Sequence, residues 1–320
     1  MLRSKFPVST LVAGIVNFQK EIRLTIRRWM LRGLGLVLAP PTCCLCGEPG
    51  FLLQGAEPGL IGQLHRVPLD LCTHCAAVLP RPAEHWTQVW MQGGTYWQFA
   101  AFQYGYPVDR LVREFKFRGD RVYGRVLATL LAISRAGTRS RPLPDAIVPV
   151  PLHSARFRER GFDQTKLLAD WVGEVCNLPV LHQCLARIRA TVPQSGLAGA
   201  ARRQNVQGAF AVRTSQRPGV ASMPQHVALL DDVLTTGSTL AAASAALRAV
   251  GVTTIEHWVL ARTALAENIL QRDADEHHQS GVPVFKEGLE TSVAVAIADQ
   301  PLLAHKTQAE RQKSELIPKT

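Results

Sequence analysis

Two adjacent carboxylates, Asp231 and Asp232, stand between four apolar residues, Val227-Ala228-Leu229-Leu230, and a run of small hydroxylated residues around one glycine, Thr235-Thr236-Gly237-Ser238-Thr239. Carboxylates accept hydrogen bonds, so the pair suits the vicinal hydroxyls of a sugar. The run behind it opens an alanine-rich segment with helical character. The N–H groups of a helix's first turn have no internal partner and sit at the positive end of the helix dipole, so a loop entering there can hold a phosphate. Gly237 allows close approach or a positive φ, and the Ser and Thr hydroxyls add donors. The ligand described in this way is a ribose carrying a 5-phosphate. Neither G-x-x-x-x-G-K-[ST] nor G-x-G-x-x-G occurs, which argues against Walker-type and Rossmann-type nucleotide sites.

A second constellation is built of sulfur. Cys43-x-x-Cys46 and Cys72-x-x-Cys75 are separated by 25 residues, a layout that presents four thiolates to one tetrahedral zinc ion. Cys44 and His74 compete as ligands, but Cys43, Cys46, Cys72 and Cys75 keep the regular register. Seven cysteines, an odd number, in a chain without an export signal argue against a disulfide framework. Cys176 and Cys184 read as small packed hydrophobes.

The elements that must position these groups follow from periodicity. An aromatic stretch, 86–106, has β character; 108–130 reads as a helix pair around Lys116-Phe-Arg-Gly-Asp120. From Asp145 onward strands and helices alternate, which predicts an α/β fold with a parallel sheet flanked by helices. A strand at 146–150 runs into the stiff turn Pro149-Val150-Pro151. Arg156, Arg158 and Arg160 lead to a helix over 165–176, at the carboxyl end of a parallel strand where open sheets bind ligands. Residues 187–210 are Gly- and Ala-rich, basic and with little period, as a functional lid or a disordered excursion would be. The strand 227–230, a helix over 238–250 and a last strand over 254–261 complete the pattern.

Four regions follow: a basic leader at 1–40, helical and amphipathic in spacing, with Met30 as a second candidate start; a cysteine module at 41–80 that needs its metal to fold; the α/β domain at 81–264; and an acidic polar tail at 265–320 that reads as disordered. The net charge of +11 is uneven, because the tail carries nine acids against six Lys and Arg and is −3, leaving +14 for the rest. So basic a body suits a polyanion. No apolar run approaches the roughly 20 residues of a membrane span, which points to the cytoplasm, with the leader leaving contact with the inner face of the membrane open.

Taken in order, the cysteine module, K-F-R-G-D, I-V-P-V-P-L, R-G-F-D-Q, the R-x-R-x-T-x-x-Q and N-V-x-G-A-F stretch and L-L-D-D-V-L-T-T-G-S-T-L resemble the ComF/GntX family over residues 38–264. The resemblance implies a type I phosphoribosyltransferase-like sheet behind a small zinc-ribbon-like module, and a site for phosphoribosyl pyrophosphate (PRPP) with Mg²⁺. On that reading Thr235, Thr236, Gly237, Ser238 and Thr239 hold the 5-phosphate and Asp231 and Asp232 take the ribose. Pro149, Val150 and Pro151, with Arg160, face the pyrophosphate. The resemblance also implies a role in natural transformation, with single-stranded DNA and DNA-uptake or recombination proteins as partners; Lys116, Arg187, Arg189, Arg202 and Arg203 are the nucleic-acid or lid candidates, and Phe157 and Phe162 are candidates for stacking. A homodimer stays open, as does the choice between an active phosphoribosyltransferase with an unassigned acceptor, a nucleic-acid binder and a PRPP-sensing regulator. One departure is Asp163, where the family usually has Asn.

Overall fold

The computed structural model describes residues 41–54, 66–91, 94–138, 141–152, 154–189, 208–213 and 223–264. The basic leader, Arg202, Arg203 and the acidic tail lie outside them. No helix among the described residues is long and apolar enough to cross a membrane.

The sulfur-bearing residues sit on a small frame. Strands β1 (Phe51–Gln54) and β2 (Arg66–Leu69) pair antiparallel, and a short helix α1 (Thr73–Ala77) follows, with the Cys72 sulfur accepting from the N–H of Cys75 at 3.3 Å. Gly50 is required by close approach, since a Cβ there would lie 2.4 Å from the carbonyl oxygen of Leu69. Leu69, Leu71 and Leu79 share one core with Phe99, Phe102 and Leu111 of the larger body. The hydrophobic free energy of the module is therefore spent against the main sheet as well as within itself.

That main sheet has five strands: β3 (Trp86–Met91), β4 (Gly94–Gln103), β5 (Ala146–Pro149), β8 (His226–Leu234) and β9 (Thr254–Arg262), in the spatial order β3-β4-β9-β8-β5. All neighbouring pairs are parallel except the edge hairpin β3-β4. Two short strands, β6 (Leu185–Arg187) and β7 (Phe210–Val212), form a separate antiparallel pair at the base of the expected lid.

Helices cover both faces, as a sheet with two apolar faces requires. On one side lie α2 (Val108–Arg113), a π-helical turn (Glu114–Arg118), α3 (Arg121–Gly137) and α5 (Gln164–Cys176), packed with Ile147, Ala228, Leu230, Trp258 and Leu260. On the other, α6 (Ser238–Arg248) packs with Val148, Val227, Leu229 and Val259, joined by Leu185 and Phe210 of the β6-β7 pair. A further short helix, α4 (Ser154–Arg160), links β5 to α5.

After β5 the chain crosses to an outer bridge between Ile147 and Val180, whereas β8 leads inward to β9. The gap between β5 and β8 is thus a topological switch point, where a crevice opens at the carboxyl ends of the strands. The opposite end of the sheet is closed by buried charge: Glu256 receives Arg135, His226 and the indole N–H of Trp258 at 3.2, 3.2 and 2.8 Å.

One expected boundary is corrected. The strand was expected to end before the acids, at Leu230; β8 runs through both of them to Leu234. Acidic residues are poor strand formers, but the parallel register with β9 continues through Asp231↔Val259 to Leu234↔Arg262, so pairing overrides propensity.

Candidate functional site

The site is at the carboxyl ends of β5 and β8. Side chains alternate along a strand, and Val227 and Leu229 face α6 while Ala228 and Leu230 face α3 and α5. Continuing the alternation puts Asp231 on the α6 side and Asp232 on the α5 side, and their partners agree. Asp232 is buried, and its Oδ2 accepts from Lys116 Nζ at 2.9 Å and Gln164 Nε2 at 3.2 Å, while its Oδ1 accepts from the N–H of Val233 at 2.5 Å. Asp231 is half-buried and accepts one hydrogen bond, from the N–H of Asp232 at 2.8 Å.

Their acidities separate accordingly. Burial pushes the Asp231 carboxyl up to about 7, the adjacent Asp232 charge adds to the rise, and Lys116 and Arg187 oppose it. For Asp232 burial acts in the same upward direction but is outweighed by Lys116 and Gln164, which hold it below its ordinary range. Two acids, one proton-rich and one firmly ionised, is the pattern expected of close carboxylates in unequal environments.

Beyond the acids, Gly237 takes φ 72°, a left-handed conformation that strains residues with a Cβ. It is the N-cap of α6 and, having no side chain, makes no side-chain cap. The first turn of α6 therefore opens behind bare backbone, on the same side of the sheet as Asp231. Thr236 Oγ1 and Ser238 Oγ lie 2.9 Å apart, with Ser238 buried and Thr235, Thr236 and Thr239 half-buried.

Across the crevice, Pro149 ends β5, Val150 is buried against Leu230 through a 2.9 Å backbone hydrogen bond, and Pro151 is half-buried. Arg160 feels the Asp232 charge and lies with its guanidinium 5.3 Å from the exposed Phe117 ring. One of its buried nitrogens, Nη1, has no hydrogen-bond partner among the described residues, and an anion would satisfy it. Arg187, at the base of the expected lid, acts on Asp231 and lies 5.4 Å from the Phe210 ring. Arg189 is exposed.

Lys116, expected among the nucleic-acid or lid residues, lies at the acid pair. Its carrier is the π-helical turn, anchored by Phe115, which is 1% exposed and packs against Phe162 and Trp171 at ring distances of 5.7 and 5.9 Å. A Cβ on Gly124 would stand 2.5 Å from the Phe115 ring, so that glycine leaves room for the anchor. Phe162, a stacking candidate, is packed into this contact, while Phe157 is exposed.

Gln164 was missed as a site residue, although it stands in the R-G-F-D-Q segment; a glutamine at the first position of a helix gives no sign that it is buried at 4% exposure. Asp163 caps the same helix, its Oδ1 accepting from the N–H of Lys166 at 3.2 Å and from Thr165 Oγ1 at 3.0 Å. Asn has the same acceptor, so the departure from the family's usual residue does not disturb the cap.

The four module cysteines converge: the sulfurs of Cys43, Cys46, Cys72 and Cys75 all lie within 4.8 Å of one another, with Cys46 and Cys72 3.6 Å apart. Sulfurs around a tetrahedral ion at about 2.3 Å are about 3.8 Å apart, so the set fits a metal ion such as zinc. Burial raises the Cys43 thiol, but backbone N–H groups around it prevail and bring it down to about 6, whereas Cys75 is driven up by burial and by the neighbouring sulfurs. Such a cluster holds a thiolate readily at Cys43 and resists one at Cys75, and a bound cation relieves the conflict. Cys44 stays outside the cluster, its thiol raised to about 12 by burial, and His74 is on the exposed side of α1.

No protein-family model matches the chain. Among curated proteins it is 36% identical over 226 residues to the competence protein F of Haemophilus influenzae, covering 69% of this chain and 96% of that one. The chain belongs to the ComF family. It is also 32% identical to the DNA utilization protein YhgH of Salmonella typhi, over 71% of this chain and all of that one. The competence protein ComFC of Bacillus subtilis is 26% identical across 44% of this chain and 53% of its own length.

Proposed function

We propose that this ComF-family chain binds phosphoribosyl pyrophosphate with Mg²⁺ at the β5-β8 crevice, carries a structural zinc ion, and acts in the uptake or processing of single-stranded DNA during natural transformation. The observation that carries the ligand is the meeting, on one face of the sheet, of the start of α6, entered through Gly237, with the half-buried carboxylate of Asp231. A 5-phosphate on the N–H groups leaves the ribose hydroxyls beside the acid. Lys116, Arg160 and Arg187 make the rim cationic, which suits a diphosphate, and Mg²⁺ would travel with that group. The DNA role rests on the relatives named for competence and DNA utilization and on a basic body with an exposed Phe157 and an exposed Phe117 beside Arg160.

The test is a thermal melt with and without PRPP and Mg²⁺. At a hundredfold excess over Kd a ligand of the folded state adds about 2.7 kcal/mol, worth roughly 5–10 °C in a domain of this size. Replacing both acids, Asp231→Asn with Asp232→Asn, should remove the shift. A shift that survives in the double variant refutes the site.

A further inference from the structure

We propose that the two acids have separate duties: Asp231 alone receives the sugar hydroxyls, and Asp232 is a positioning residue that holds Lys116, through which the site meets the diphosphate end of the ligand. This rests on the PRPP reading above and divides its site.

Asp232 is the more heavily engaged acid, with three of a carboxylate's roughly four acceptor directions taken. Lys116 and Gln164 fill Oδ2, the Val233 N–H takes one direction of Oδ1, and the side chain is 12% exposed. To accept a ribose hydroxyl on Oδ2 it would have to surrender a charge-assisted bond in a buried setting, which costs more than a neutral hydroxyl returns. Asp231 has one bond, partial exposure and the face shared with Gly237. The alternation of β8 enforces the division, because neighbouring side chains cannot both reach one side of the sheet.

The lysine is equally constrained. Phe115 seats the π-helical turn against Gly124, Phe162 and Trp171, and the Lys116 side chain, 17% exposed, runs to Asp232. An ammonium has three donors, so the bond to Asp232 orients the group and leaves others for an anion. Three separated segments, around Lys116, Gln164 and Asp232, thus converge on one carboxylate oxygen. Deleting the carboxylate's charge should disorder the cation and so act at a distance from the sugar.

Calorimetry on the full chain with two fragments of the ligand, ribose 5-phosphate and Mg²⁺-pyrophosphate, separates the duties. Asp231→Asn should weaken ribose 5-phosphate roughly tenfold or more and leave pyrophosphate within about twofold, the size of one charged hydrogen bond. Lys116→Gln should do the reverse. Asp232→Asn should follow Lys116→Gln, and the Lys116→Gln/Asp232→Asn double variant should bind pyrophosphate no more weakly than Lys116→Gln alone. If Asp232→Asn instead loses ribose 5-phosphate as Asp231→Asn does, the proposal fails while the PRPP reading stands. Should Asp232→Asn not fold, Lys116→Gln decides alone: equal losses for both fragments overturn the division. A wild-type chain that binds neither fragment overturns the PRPP reading and the proposal with it.

Discussion

Replacing each acid of the pair singly by its amide should move the stability of the ligand-free protein in opposite directions. Asp231 keeps its proton in the folded chain up to about 7 against an ordinary value of 3.8, so the unfolded chain ionises first as pH rises. A raised carboxyl pKa means stability lost between those two values, and none lost below the lower one. About three units at 1.36 kcal/mol each set a ceiling of roughly 4 kcal/mol. Asp231 is half-buried and water screens it, so the realised cost at pH 8 is about 1–2 kcal/mol. Asp231→Asn removes the ionisation and keeps an oxygen for the Asp232 N–H, so it should stabilise the chain by that amount at pH 8 and by about half as much at pH 5.5.

Asp232→Asn works the other way. It removes the negative charge of a 2.9 Å ion pair whose side chains are 17% and 12% exposed. Stripping one partner from a fully buried pair costs about 3–5 kcal/mol; here solvent reaches the pair and Asp231 stands near Lys116, so the loss should be about 1–3 kcal/mol. Urea unfolding of the three proteins at both pH values, with matching m-values, measures these differences. A destabilising Asp231→Asn at pH 8, or a gain equal at the two pH values, would refute the separation of the acids.

The other expectations are shorter. Gly237→Ala should cost about 1–2 kcal/mol, because its φ of 72° is unfavourable with a Cβ, and should abolish the PRPP-induced shift in melting temperature; an unchanged shift would show that the cradle is elsewhere. The purified protein should contain one zinc ion, and chelation should raise amide exchange around Leu69, Leu71 and Leu79 and lower the melting temperature of the whole body, since these residues share its core; metal content below about half an equivalent refutes the site. Single-stranded oligonucleotide should bind without sequence preference and weaken steeply with salt, and replacing Arg187, Arg189, Arg202 and Arg203 by Ala should flatten that slope through lost counterion release; an unchanged slope would remove these arginines from the DNA track.

The legible parts of this chain are those in which neighbours in sequence are also neighbours in function. Two C-x-x-C turns and the run from Val227 to Thr239 carry their geometry in their spacing, so the sulfur cluster and the helix start behind Gly237 are legible without any tertiary contact. The alternation of strands and helices after Asp145 was legible for the same reason. What spacing could not show was where β8 ends, because two acids look like the close of a strand and only pairing with β9 carries it on to Leu234. That one extension changes the chemistry: acids at a strand's end could turn together toward a sugar, whereas acids within a strand must face apart. The shared partner of Lys116 and Gln164 was hidden as well, since nothing local says that residues in the segments around 116 and 164 meet at 232. Their convergence depends on Phe115 lying over a glycine nine positions further along, at Gly124, a packing fact with no periodic signature. The functional asymmetry of the acid pair is therefore a property of register, and a substitution that shifted β8 against β9 by one residue would exchange the surroundings of Asp231 and Asp232 without altering either side chain.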